Sequence, residues 1–177
     1  GYEQFRNLEI YDDLSKGKEK LCISQGQLIE NVILEAEKAW KSETQVDNIL
    51  LTAPTGSGKS MLFQLPAIYL GKEYNLLTIV VSPLKALIVD QVESLQELGY
   101  MRVAYASSDL SPEQKMEVYR QVREGEIDLF YLSPELLLSY DIKHFVGERR
   151  IGLVVVDEAH TVTTWGKEFR VDYWFLG

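Results

Sequence analysis

The chain has 177 residues, 46% of them apolar and 25% charged, with a formal net charge of −9. These values suit one globular domain with a substantial core and argue against a surface coated in basic residues, while leaving room for a local cationic groove or for phosphate-binding helix N-termini. The apolar runs Leu76–Val81 and Leu153–Val156 suit buried strands and are too short to cross a bilayer, so no membrane contact is expected.

The opening GYEQFRNLEIYDD lacks the basic-then-apolar pattern of a secretory signal. The one cysteine, Cys22, allows no internal disulfide and predicts a reducing, intracellular compartment such as cytoplasm, nucleoid or nucleus.

Residues 1–20 are charged and mixed, and no element is assigned to them. From Gln25 to Lys41, apolar Leu28, Ile29, Val32, Ile33, Ala36 and Trp40 recur at helical spacing. A polar loop follows to Asp47. Ile49–Ala53 reads as a buried strand, then a glycine turn and a helix from about Gly58 to Leu70 that Pro66 bends or loosens. Leu76–Ser82 is the next strand, and Pro83–Leu98 a helix closed by Gly99. Val103–Ala106 is a strand, and Ser111-Pro112-Glu113-Gln114 opens a helix with a capping box. Ile127–Ser133 and Ile151–Asp157 are strands, with a helix from Pro134 between them. This alternation predicts an α/β fold: a parallel β-sheet with helices on both faces.

Two motifs carry chemistry. Ala53-Pro-Thr-Gly-Ser-Gly-Lys-Ser60 is the phosphate-loop pattern GxxxxGK[ST] with alanine at its first glycine. Thr55, Gly56, Ser57, Gly58, Lys59 and Ser60 are the expected cradle for ATP. The glycines let backbone N–H groups wrap phosphate at a helix N-terminus, Lys59 reaches the β- and γ-phosphates, and Ser60 ligates Mg²⁺. The second motif, Val154-Val-Val-Asp-Glu-Ala-His160, delivers Asp157 to the carboxyl edge of the sheet, where open α/β folds bind ligands. Asp157 is expected to hold Mg²⁺ and Glu158 to orient or deprotonate the attacking water. His160, one residue beyond, is expected to relay between nucleotide and a neighbouring site.

Together with FQLPA (Phe63–Ala67), SPLKALIVDQV (Ser82–Val92), YLSPE (Tyr131–Glu135) and TTWGKEFRVDYWFLG, these motifs resemble a superfamily 2 helicase, and more narrowly the RecQ family. The likeness runs from about Gly26 to the last residue. It implies a RecA-like P-loop NTPase fold for residues 25–177, incomplete at its C-terminus, preceded by an extension over 1–24. It also implies a second RecA-like domain in the same polypeptide and movement 3′ to 5′ on single-stranded or partly duplex DNA; phosphate contacts and stacking serve RNA equally.

In that family the aromatic loop after DEAH contacts single-stranded DNA and couples the contact to hydrolysis. This places Trp165, Phe169 and Arg170 on the strand, with Tyr173 and Trp174 expected in the core. Ser82, Lys85 and Ser133 are expected to meet nucleic-acid phosphate at two strand-to-helix junctions. Lacking the second lobe, the chain by itself is expected to hydrolyse little ATP.

The family's F-R-x-G-Q element, whose glutamine recognises adenine, has its counterpart at Ile23-Ser24-Gln25-Gly26-Gln27. Gln27 keeps its place, Ser24 stands where arginine is usual, and the upstream stacking aromatic aligns with Lys20. Either adenine selectivity is weaker than usual, or an aromatic elsewhere, such as Tyr11, is the expected substitute. GYEQFR at Gly1–Arg6 resembles the same element but lies far upstream, with Glu9 where glutamine belongs, and reads as coincidence. Two rival functions remain: an ATP-controlled nucleic-acid-binding switch inside a larger complex, without unwinding, and an unrelated P-loop NTPase such as a transporter ATPase or kinase.

Overall fold

The computed structural model describes residues 5, 7–11, 20–41, 49–51 and 58–158. The chain divides into two compact units, Gly1–Tyr69 and Leu70–Gly177.

The first unit opens with an element the sequence did not announce. Strands β1 (Asn7–Tyr11) and β2 (Lys20–Ser24) form an antiparallel hairpin, with Asn7 opposite Ser24 at one end and Tyr11 opposite Lys20 at the other. Ser24 then serves as N-cap of α1 (Gln25–Trp40). Its hydroxyl accepts the Gln27 backbone N–H at 3.1 Å, and the Gln27 side-chain oxygen accepts the Ser24 backbone N–H at 3.0 Å. This reciprocal box satisfies two N–H groups that a helix end otherwise leaves unpaired. Leu28 and Ile29 of α1 pack with Leu62 of α2 (Met61–Tyr74), and Phe5, Ile23, Ile33, Leu51 and Leu65 lie against them.

The expected strand at Ile49–Ala53 is not seen over Ile49–Leu51, and Ile49 and Leu50 are exposed. A strand exists through its ladder partners, and among the described residues of this unit the only ladder is the hairpin's own.

In the second unit β3 (Leu77–Val81), β4 (Val103–Ala106), β5 (Leu129–Leu132) and β6 (Ile151–Val156) form one parallel sheet in the order β4-β5-β3-β6. Inner strands β3 and β5 are buried throughout, as a sheet covered on both faces requires. Leu77, Ile79, Val81, Phe130 and Leu132 face a core with Tyr119 and Val122 of α4 (Pro112–Arg123), Leu136 of α5 (Pro134–Ser139) and Phe145 of α6 (Ile142–Val146). Tyr131 alternates to the opposite face, where its hydroxyl donates to Gln91 of α3 (Lys85–Glu97) at 2.8 Å.

Helix α3 ends as its glycine foretells. Gly99 has φ +86°, its N–H meets the Gln96 carbonyl and that of Tyr100 meets Leu95, the paired bonds of a Schellman stop. The expected capping box at Ser111 and Gln114 is present at the start of α4. The start of α3 differs from expectation. It begins at Lys85, with extended Leu84 as N-cap (φ −96°, ψ 92°), not at Pro83.

At the amino edge of the sheet the Asp128 carboxylate is wholly buried. It accepts from Arg102 Nε at 2.6 Å, from Arg149 Nη2 at 2.9 Å and from the Tyr100 hydroxyl at 3.2 Å. Arg149 also donates to the carbonyls of Val122 and Ile127, tying the end of α4 to the start of β5. Burial, and then the Asp128 carboxylate, hold the Tyr100 hydroxyl far above its ordinary pKa, so it remains a donor. Removing one member of such a buried set leaves uncompensated charge. Asp128→Ala should therefore lower the unfolding free energy by about 3–5 kcal/mol, measured from the urea midpoint, with Asp128→Asn losing less.

Candidate functional site

The carboxyl edge of the sheet is built by three backbone hydrogen bonds just past the strands. Ser133 N–H donates to Ala106 O at 3.3 Å, Ser82 N–H to Leu132 O at 3.2 Å and Asp157 N–H to Val81 O at 2.9 Å. These bonds continue the parallel ladder by one step, so Ser133, Ser82 and Asp157 stand in a row on adjacent strands, spaced about 4.8 Å apart. Buried Ser107 follows β4 at the same edge.

Ser82 is not the N-cap of α3, and Ser133, the N-cap of α5, makes no side-chain capping bond. Both hydroxyls are buried and find no hydrogen-bond partner among the described residues. A buried, unpaired hydroxyl costs about 1–3 kcal/mol, a cost that folding alone gives no reason to retain. Lys85, in the first turn of α3, extends its ammonium to Ser108 Oγ at 2.7 Å and Asp109 Oδ1 at 2.8 Å in the loop after β4. The hydrogen bond from Lys85 holds the exposed Asp109 carboxyl below the usual carboxylate range.

At the end of β6, Glu158 has φ +52° and its N–H donates to Asp157 Oδ1 at 3.0 Å. A glutamate in the left-handed region is a strained conformation of the kind that concentrates at functional sites.

In the first unit, Gly58, Lys59 and Ser60 form the turn that enters α2, with Met61 N–H on Gly58 O at 3.2 Å and Gln64 N–H on Ser60 O at 2.9 Å. The assigned helix thus begins at Met61, later than expected, and continues through Pro66 to Tyr74. Gly58 has φ +79°, and a Cβ there would lie 2.6 Å from the Gln25 side-chain nitrogen. Backbone conformation and space both demand glycine. Gln25, only 3% exposed, was not among the expected site residues; its neighbour Gln27 was, and is solvent-exposed in the capping box. Nothing in the local spacing separates the two glutamines. Their difference is which side of α1 faces Gly58.

Thr55, Gly56, Ser57, His160, Trp165, Phe169 and Arg170 lie outside the described residues. Among the described residues no group of three or more histidine, cysteine, aspartate or glutamate side chains could hold a metal unaided, and no helix is long and apolar enough to cross a membrane.

The parallel sheet, the glycine turn entering α2 and the acid pair at the end of β6 narrow the family, and sequence comparison settles it. Residues 34–175 match the DEAD/DEAH box helicase family. The chain belongs to that family. Within it the chain is RecQ-like. It is 42% identical over 130 residues to ATP-dependent DNA helicase RecQ of Synechocystis sp., covering 72% of this chain and 26% of the relative. Against ATP-dependent DNA helicase RecQ of Bacillus subtilis it is 38% identical over 126 residues, 71% of this chain and 20% of the relative. Against ATP-dependent DNA helicase Q-like 5 of Arabidopsis thaliana it is 39% identical over 125 residues, 70% and 13%. The chain therefore spans about a quarter or less of the length of these relatives.

The two serines of this RecQ-like edge yield a stability test. Ser82→Ala and Ser133→Ala each remove a buried hydroxyl that has no partner among the described residues, so neither should destabilise the fold, and each should raise stability by up to about 1 kcal/mol. Thermal and urea unfolding would check this; a loss of stability would mean that the hydroxyls are satisfied within the protein.

Proposed function

We propose that this chain is the ATP-binding half of a RecQ-like helicase motor that couples ATP hydrolysis to movement along single-stranded DNA in the 3′ to 5′ direction. The observation that carries the reading is the carboxyl edge, where the buried Ser82 and Ser133 hydroxyls, without partners among the described residues, share a row with Asp157. Polar groups suited to phosphate and a strained acid pair lie on one edge.

The residues present suit ATP and Mg²⁺. Gly58 leaves backbone room that a side chain would fill, Ser60 sits at a helix start, and Asp157 ends a strand. When bound, ATP with Mg²⁺ supplies the phosphoanhydride whose cleavage drives the motor. Lys59 would offset charge on the β- and γ-phosphates while Thr55, Gly56, Ser57 and Gly58 cradle them. Ser60 and Asp157 would hold the cation. Glu158 would orient the attacking water and take its proton, with His160 relaying to the strand-binding side. Gln27 would read the adenine.

Ser82, Lys85 and Ser133 would take the phosphates of the strand, and Trp165, Phe169 and Arg170 its bases and backbone. Stacking on an aromatic ring is worth about 1–3 kcal/mol per base, enough to shift a loop between two arrangements. The active unit would comprise residues 25–177 together with a second RecA-like domain in the same polypeptide. Contacts of this kind do not exclude RNA.

In the full-length protein, Lys59→Ala should abolish ATPase activity in a steady-state phosphate-release assay. Trp165→Ala should preserve basal turnover and blunt its stimulation by single-stranded DNA; an unchanged stimulation ratio would remove Trp165 from the strand.

Lys85 would have to exchange Asp109 for phosphate when DNA binds. Asp109→Asn should therefore strengthen single-stranded DNA binding. Lys85→Ala should reduce the slope of log affinity against log salt by about one. Fluorescence anisotropy across a salt series reads both.

A further inference from the structure

Lys85 stands where a cation is disfavoured. It is the first residue of α3, and the first turn of that helix holds no acidic side chain. The free N–H groups of a helix N-terminus carry partial positive charge, which opposes an ammonium placed beside them. An anion next to Lys85 removes that penalty. Here the anion is Asp109, whose Oδ1 lies 2.8 Å from the ammonium, with Ser108 Oγ at 2.7 Å.

The short segment that carries Asp109 is fixed at both ends. Ala106, the last residue of β4, accepts the Ser133 N–H, and Ser111 caps α4. Between these points Lys115 of α4 donates to the Ser108 carbonyl at 3.2 Å, and the Leu110 N–H meets the Ser107 carbonyl at 3.4 Å. Four residues tied in this way keep the carboxylate near Lys85 even when the pair is open, which gives Asp109 a high effective concentration. Both side chains are nonetheless exposed, Lys85 by 40% and Asp109 by 67%, so the pair is weak and exchanges readily.

We propose that Asp109 is a built-in competitor for Lys85, holding it between strand contacts and reclaiming it from phosphate so that a bound strand is released quickly. The proposal rests on the phosphate role given to Lys85 above. A motor that moves along a strand has to let go of each phosphate as well as hold it. A tethered carboxylate that arrives as phosphate leaves spares Lys85 an interval without an anion at the helix N-terminus. Asp109 thereby speeds dissociation and touches neither nucleotide nor strand. If Asp109 acted only through the negative charge of the domain, its removal would instead speed association, and would do so whether or not Lys85 were present.

The test uses the full-length protein and a fluorescein-labelled oligothymidylate, with dissociation followed by stopped flow after a chase of unlabelled strand. Asp109→Asn should slow dissociation about two- to fivefold, and Asp109→Glu should restore the original rate. In a Lys85→Ala background, Asp109→Asn should leave dissociation unchanged, because the cation it competes for is gone; this double-mutant cycle isolates the pair. Glu113→Gln removes another exposed carboxylate close in sequence but outside the pair, and should not slow dissociation.

Equal slowing by Asp109→Asn with and without Lys85, or equal slowing by Glu113→Gln, would overturn the competitor and leave the strand contact of Lys85 standing. An unchanged dissociation rate in Asp109→Asn, while Lys85→Ala still lowers the salt slope of affinity, would overturn it too. If Lys85→Ala alters neither affinity nor salt slope, the phosphate role of Lys85 falls, and this inference with it.

Discussion

The parallel pairing of β3 with its two neighbours is the constraint on which the candidate site depends. Each ladder runs one bond past the strands, from Asp157 to Val81 and from Ser82 to Leu132, and β5 repeats the pattern from Ser133 to Ala106. Parallel ladders slant evenly, so the residue after each strand reaches the same height. Side chains that are distant in sequence become neighbours along an edge through backbone bonds alone. Helix packing on both faces then fixes the edge, because β3 and β5 are buried along their whole lengths.

The two ends of this sheet serve different physical purposes. At the amino edge every polar atom of Asp128 is engaged by Arg102, Arg149 or Tyr100, and that set clamps the starts of the strands. At the carboxyl edge the hydroxyls of Ser82 and Ser133 are buried without partners among the described residues, and Glu158 adopts a backbone conformation that costs free energy. Each edge keeps buried polar atoms without a partner among the described residues, Thr78 Oγ1 and Arg149 Nε toward the amino edge and the two serine hydroxyls at the carboxyl edge. What distinguishes the carboxyl edge is that its two hydroxyls stand in a row with a strained acid pair, where open α/β sheets bind ligands.

Much of the second unit was legible because its signals are local. The apolar run before Ser82, the Ser111–Gln114 box and Gly99 after α3 each act within a few residues, and each is realised. What escaped reading depends on partners far along the chain. The hairpin lies in a charged, mixed segment whose strands are defined only by each other. The ion pair between Lys85 and Asp109 joins α3 to the loop after β4 and has no sequence spacing to announce it. Gln25 and Gln27 look equivalent in one dimension, yet the first is buried against Gly58 and the second is exposed. Ile49–Leu51 shows the opposite case: an apolar stretch has strand propensity, but propensity becomes a strand only where an edge is available to pair, and these three residues find none among the described residues.

The net charge of −9 looks unfavourable for the proposed grip on a polyanion, and the local arrangement offers a reason why it need not be. Among the described cations, Arg102 and Arg149 share Asp128, and Arg120 is shared by Glu117, Glu124 and Glu126. Those charges have little left to offer a phosphate. Lys85 differs in position, because it and its single exposed ion-pair partner, Asp109, lie beyond the carboxyl ends of β3 and β4. Exchange between two solvated anions costs little, since surface ion pairs contribute only about 0–1 kcal/mol. Under the proposed function, an acidic domain would accept a strand at this one edge while repelling it elsewhere, with position along the edge rather than total charge deciding where the strand lies.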